Sequence, residues 1–246
     1  EEDVVDEIKK VSALSPGVRK VFLADGDAMV LPTRRFLHIL KAIKKFFPHV
    51  QRISSYALPS NILKKSPLEL KELKDAGLSL IYLGIESGDD EVLKLVNKGE
   101  TQASTVKGLL RAKKAGIKSS VMILSGLGGS KFSKEHAIHS AEVLNETQPE
   151  YASTLVLVFP AGKKRFLDHF GDDYIPLDQL QILEEQKVLI NHCKLEKTIF
   201  RSDHASNYLI LKGVLNRDKE RLLREIQNAI DYPDQANLRE EYERGL

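Results

Sequence analysis

Short polar sequences stand directly after apolar runs at Asp25-Gly26-Asp27, Ser54-Ser55-Tyr56, Glu86-Ser87-Gly88 and Ser125-Gly126, and Phe159-Pro160 closes a fifth run. Carboxylates bind amines or hydroxyls, serines hydrogen-bond, and glycine lets a backbone approach a ligand closely. Any one of these reads as ordinary turn chemistry. Their recurrence at the same end of successive runs points to one polar, ligand-sized site. Glu86 is the sharpest of them. It leaves Leu80-Ile81-Tyr82-Leu83-Gly84-Ile85, a run that reads as buried, and a carboxylate emerging there needs a cation, hydroxyl or amide partner. Ser87, Asp89 and Asp90 are better placed to cap the next helix, so Glu86 is assigned to a ligand.

Other reactive residue types give weaker patterns. Gly126-Leu127-Gly128-Gly129-Ser130-Lys131 lacks the spacing of a phosphate loop, leaving only a lesser alternative of a phosphate-binding barrel. His192, Cys193, Asp203 and His204 match no zinc spacing, and ordinary packing is their expected use. There is no nucleophile elbow, kinase set or dinucleotide fingerprint.

The runs that must carry these groups are 18–24, 50–56, 79–85, 117–124 and 152–159, with starts 32, 29, 38 and 35 residues apart. That is the spacing of βαβ units in a parallel α/β sheet. Helices are predicted between them. Val4, Val5, Ile8 and Val11 share a face of the first, and Phe36, Leu37, Leu40, Ile43 and Phe47 a face of the second. Ser66-Pro67-Leu68-Glu69 starts another and Gly77 ends it. Thr101 caps a helix to Gly116 with Val106, Leu109 and Leu110 inward, and Ser133 caps the next, with Ala137, Ala141 and Leu144 inward. Beyond the fifth run, 177–193 reads as helix, 198–211 as extended or irregular, and 217–230 as an amphipathic helix on Leu222, Leu223, Ile226 and Ile230. The polar tail from Asp231 is expected to be peripheral. The predicted organisation is a barrel core over 1–176 with an extension over 177–246 packed on it.

Composition bounds the rest. The 246 residues are 42% hydrophobic, enough for a sizeable core, and no apolar run reaches membrane-spanning length. A soluble, cytoplasmic protein is expected. With 37 Lys and Arg against 35 Asp and Glu, net charge makes no case for a nucleic-acid partner. The single cysteine, Cys193, excludes an internal disulfide and a multi-thiolate metal site.

The strand ends resemble those of the radical SAM superfamily. Gly84-Ile85-Glu86-Ser87-Gly88, with Asp90-Glu91-Val92-Leu93-Lys94 and Asn97-Lys98-Gly99, is similar to that family's fourth-strand segment. Asp25-Gly26-Asp27 sits where the family has Gly-Gly-Glu, Gly116-Ile117 to Gly126 resembles the adenine-contacting fifth strand, and Phe159-Pro160 the end of the sixth. Phe200 to Tyr208, Leu211-Lys212-Gly213 and Arg217 to Arg221 resemble a branch similar to coproporphyrinogen-oxidase-like and Elp3-like members. The likeness covers about residues 18–224. It departs at Asp25 for Gly, Asp27 for Glu, Ala28 for Pro and Asp203 for Asn, and the cluster-binding Cys-x-x-x-Cys-x-x-Cys is absent.

The resemblance implies a partial (β/α)6 TIM-like barrel, with strands two to six present and a helical extension. It implies a [4Fe-4S] cluster and S-adenosylmethionine (SAM) as cofactors, a reducing electron donor, and reductive cleavage of SAM to a 5′-deoxyadenosyl radical acting on a small-molecule or unknown substrate. Asp27 would bind the methionine amino group, and Glu86 the ribose hydroxyls or the methionine end. Ser54, Ser125 and Gly126 would line the nucleotide pocket, with Asp25, Gly26, Ser55, Ser87, Phe159 and Pro160 beside them. Tyr56, His204 and Asn207 are candidates for the substrate. With one thiol this chain holds no metal ligand set, so it is expected to be the inactive carboxy-terminal part of a longer enzyme. The alternative is a cluster-free nucleoside-binding or interaction protein on the same scaffold.

Overall fold

The computed structural model describes residues 2–160, 162–171 and 173–244. Seven strands, β1 (Lys20–Asp27), β2 (Arg52–Tyr56), β3 (Leu78–Glu86), β4 (Lys118–Ser125), β5 (Tyr151–Val156), β6 (Ile199–Ser202) and β7 (Leu211–Val214), lie in one sheet in chain order. The β1–β2, β2–β3 and β5–β6 pairs are parallel, and β6–β7 is antiparallel. Helices α1 (Glu2–Leu14), α2 (Thr33–Phe46), α3 (Pro59–Leu63), α4 (Pro67–Asp75), α5 (Asp90–Leu95), α6 (Gln102–Lys114), α7 (Gly129–Thr147), α8 (Lys164–Phe170), α9 (Gln179–His192) and α10 (Lys219–Asp231) complete the fold. The five predicted strands are present, the 198–211 stretch supplies β6, and β7 follows from its last residue. Among the described residues the sheet does not close on itself, and no helix is long and apolar enough to cross a membrane.

The chain divides into two compact units, Glu1–Leu83 with Lys107–Ser120, and Gly84–Val106 with Val121–Leu246. In the first, α2 buries Phe36, Ile39, Leu40, Ala42 and Ile43, so Ile39 takes the core place expected of Leu37. Phe36, Leu40 and Ile43 are fully buried, and each contributes about 1.5–3 kcal/mol. The predicted α4 start is present as a capping box, in which Ser66 and Glu69 satisfy each other's backbone N–H. The Thr33 hydroxyl and Ser66 together hold the Glu69 carboxyl down at about 2. By contrast α1 leaves Val4, Val11 and Leu14 exposed. It flanks an apolar groove of about 920 Å³ along β1, lined by Val4, Ile8, Val11, Val21, Leu23 and Ile39.

In the second unit, α7 begins at Gly129 rather than at Ser133, because the Ile175 carbonyl accepts the Ser130 N–H in place of a side-chain cap. Ser133 is therefore an interior residue of that helix. Ala137, Ala141 and Leu144 face inward as predicted, and His136 and Ser140 are buried with them. The tail is not peripheral. Leu238 packs against Val156, Ile182 and Tyr208, while the Arg244 guanidinium lies 3.9 Å from the Tyr208 ring centroid and donates to the Ser206 carbonyl at 2.8 Å.

Candidate functional site

The end of β1 is bent by an insertion. Pairing with β2 runs in register to Leu23↔Ser55 and resumes only at Asp27↔Tyr56, with Asp25 at φ 60° and Gly26 at φ 120° between. The bulge leaves Asp25 and Gly26 exposed and turns Asp27 toward its own chain. Asp27 Oδ1 accepts the Met29 N–H at 2.7 Å, and Oδ2 accepts the Leu58 N–H and the Asn61 amide, both at 2.8 Å. Three donors from the chain thus engage both oxygens of the carboxylate expected to hold a methionine amino group. On β2, the Ser54 hydroxyl donates to the Val21 carbonyl, and the Ser55 hydroxyl is fully buried without a partner. Tyr56 is exposed, packed edge-on against Phe22 with ring centroids 4.8 Å apart, and Tyr82 joins the cluster at 5.3 Å from Phe22.

The Glu86 turn is built differently. Glu86 takes φ 63°, which is unfavourable for a side chain with a Cβ. Its carboxylate folds back over Gly84, where an added Cβ would lie 2.4 Å from Oε1. Lys98 donates to Oε1 at 2.8 Å, supplying the cation that a carboxylate leaving a buried strand requires. Ser87 is buried, accepts the Asp89 N–H at 2.9 Å and meets His136 Nδ1 at 2.8 Å. At Gly88 any Cβ would stand 2.2 Å from the His139 carbonyl oxygen, so α7 packs on bare backbone there. Asp89 caps α5 through the Val92 N–H, as its position suggested.

At the end of β4, Ser125 is buried and Gly126 takes φ 81°. The Gly126 N–H donates to Glu185 Oε1 at 2.8 Å, and its carbonyl accepts the Tyr174 hydroxyl at 2.9 Å. Burial, with the Glu185 charge added, pushes the Tyr174 hydroxyl up to about 12. A cavity of about 390 Å³ opens there between Ser125, Gly126, Phe159 and Pro160, bounded also by Tyr208 and Arg244. The structure thus gathers these four predicted residues around one space of ligand size.

His204 and Asn207 are placed otherwise. His204 Nδ1 bonds the Ser206 hydroxyl at 2.9 Å, and the fully buried Asn207 donates to the Thr154 carbonyl at 2.8 Å. Both brace the turn that delivers Tyr208 to the cavity. The metal-ligand types do not converge: Asp203 pairs with Lys212, and His192 Nδ1 bonds the Val188 carbonyl. Burial pushes the Cys193 thiol up to about 12, away from the thiolate a metal would need. No cluster of three His, Cys, Asp or Glu suited to a metal exists among the described residues.

Sequence reasoning missed Lys98, His136, Tyr174, Glu185, Tyr208 and Arg244. The usable signal lay in α7, where His136 and Ser140 stand in the same inward stripe as Ala137, Ala141 and Leu144.

Residues 1–141 match the family described as the Radical SAM superfamily. Over 158 residues, 63% of this chain and 41% of the relative, the sequence is 23% identical to the heme chaperone HemW of Bacillus subtilis. A 95-residue stretch, 39% of this chain and 17% of the relative, is 26% identical to a tRNA uridine(34) acetyltransferase of Methanocaldococcus infernus. Among solved structures, coproporphyrinogen III oxidase (HemN) of Escherichia coli aligns with TM-score 0.63 and 19% identity, covering 77% of this chain and 44% of that one. Elp3 of Methanocaldococcus infernus aligns with TM-score 0.59 and 15% identity, covering 92% and 58%. Those two likenesses show the fold, and the chain spans less than half the length of either curated relative.

Proposed function

The chain belongs to the radical SAM superfamily, and on that premise we propose that it is the SAM-binding portion of a protein that reductively cleaves SAM to a 5′-deoxyadenosyl radical. The observation carrying this reading is the Gly84–Gly88 turn. It holds a half-buried carboxylate at a strained backbone over a glycine that leaves room for it, balanced by a single lysine. Glu86 is the group to meet the ribose hydroxyls or methionine end of SAM. The Ser125–Gly126 and Phe159–Pro160 cavity is the space to take its nucleoside, with apolar walls from Phe159 and Ile182. Asp27 fits its expected part poorly, because its oxygens already accept three donors from the chain. In this reading it shapes the β1 bulge, where Asp25 is left exposed.

The cluster does not fit the residues present. The one thiol is buried and held protonated, and one thiol cannot stand for three. Its thiolates are therefore assigned to residues outside these 246. The apolar groove along β1 supports that assignment, since it is a strand edge with hydrophobic side chains on either flank. On this reading the chain by itself turns over no SAM.

Titration of SAM into the complete, anaerobically reconstituted protein tests the site. Glu86→Gln keeps the shape and removes the charge, and is expected to weaken binding about tenfold or more. Unchanged affinity would remove Glu86 from the site. A cluster-free protein on this scaffold would instead bind SAM equally well before and after reconstitution.

A further inference from the structure

The two turns assigned to SAM, Glu86–Gly88 after β3 and Ser125–Gly126 after β4, are held by one buried polar network on α7 and α9. Ser133, His136 and Ser140 lie on one side of α7 at helical spacing. Ser140 Oγ accepts the Gly88 N–H at 2.9 Å, His136 Nδ1 meets Ser87 Oγ at 2.8 Å, and Ser133 donates to Glu185 Oε2 at 2.8 Å. Glu185 Oε1 accepts the Gly126 N–H at 2.8 Å and stands 3.8 Å from His136 Nε2. Ser87, His136, Ser140 and Glu185 are all 3% exposed or less.

The Glu185 carboxylate places the proton. Lying 3.8 Å from His136 Nε2, it favours the imidazole N–H on that nitrogen. Nδ1 is then the acceptor for the Ser87 hydroxyl, whose oxygen also accepts the Asp89 N–H. Apolar contacts would anchor two loops at lower desolvation cost than a buried carboxylate. What a satisfied polar network adds is one fixed arrangement, which turns that contact a ligand need.

We propose that Glu185 and His136 are positioning residues for SAM, fixing the Gly126 amide and the Ser87 hydroxyl so that both turns present one geometry to it. This rests on the reading that those turns contact SAM. The pair does so from outside the cavity wall, through Gly126 and Ser87.

The test is calorimetric SAM binding, with steady-state kinetics, on the complete cluster-loaded protein and its Glu185→Leu, Glu185→Gln and Ser133→Ala variants. Gln still accepts the Gly126 N–H, whereas Leu releases it. The expected result is a Kd and SAM KM about tenfold higher for Glu185→Leu and within about twofold for Glu185→Gln, with kcat at saturating SAM little changed. Ser133→Ala, which removes one partner of the carboxylate, is expected to raise Kd about threefold. It decides the matter if the Leu protein is not recovered folded. A wild-type protein that binds SAM while the folded Glu185→Leu or Ser133→Ala protein binds equally well would overturn the positioning role alone. A wild-type protein that binds no SAM would overturn the underlying assignment, and the positioning role with it.

Discussion

Gly84, Glu86 and Gly88 divide one task among them: room for the carboxylate, the carboxylate itself, and contact with α7. Gly84→Ala would put a methyl 2.4 Å from Glu86 Oε1 and is expected to displace that carboxylate from Lys98. Gly88→Ala meets backbone at 2.2 Å, which cannot move aside as a side chain can, and is expected to destabilise by about 1–3 kcal/mol in urea denaturation. His136 sets a pH dependence. Burial lowers its pKa from the ordinary 6.5, with Glu185 and Asp89 opposing the shift in part. The unfolded chain therefore takes up the proton first on acidification. The contribution to stability is full above about pH 6.5 and is lost as pH falls from there toward the folded value. Urea midpoints are expected to drop between pH 7.5 and 5.5 by more in the wild type than in His136→Asn, and an equal drop would contradict the assignment. The prominence of Glu86 was legible because a carboxylate after an apolar run demands a partner. The identity of that partner, Lys98, was not, since nothing local distinguishes one lysine of a turn from a solvated one.

Elements with strong local chemistry matched their sequence signals. The α4 capping box rests on interactions within a few residues, and the five longer strands carry apolar runs long enough to read in the sequence. Elements fixed by distant partners were hidden. The strands β6 and β7 have four residues each, too few to show alternation, and exist through pairing with β5 and each other. The α7 start at Gly129 depends on Ile175, far along the chain. Asp27 shows the same limit in the site: its type was legible, but the bulge that turns it inward is a property of strand register. Asp27→Ala removes three hydrogen bonds to a carboxylate that joins the turn at Met29 to the start of α3. It is expected to cost about 2–3 kcal/mol by chemical denaturation, whereas Asp25→Ala at the exposed bulge should stay within about 0.5 kcal/mol.

For the molecule as a whole, the net charge of +2 conceals two opposite surpluses. The first unit has 19 Lys and Arg against 10 Asp and Glu, and the second has 18 against 25. Net charge therefore does not weigh against a polyanionic partner, because association responds to local fields within a Debye length. Much of the basic surplus also lies at helix C-termini, as with Lys44 and Lys45 of α2 and Arg111, Lys113 and Lys114 of α6, where it offsets the helix dipole. Retention on a sulfonate resin at pH 7, released by moderate salt, is the expected signature of this separation, and passage without retention would contradict it.

We propose that these residues provide the SAM pocket of a radical SAM protein and that its cluster thiolates come from elsewhere in the complete protein. The most direct test is 5′-deoxyadenosine formation from SAM under reducing, anaerobic conditions, after iron and sulfide reconstitution of the complete protein and of this chain alone. Product is expected from the complete protein, with about tenfold or greater loss for Glu86→Gln, and none from this chain alone. Product from this chain alone, or a complete protein that forms its cluster yet yields none, would contradict the proposal.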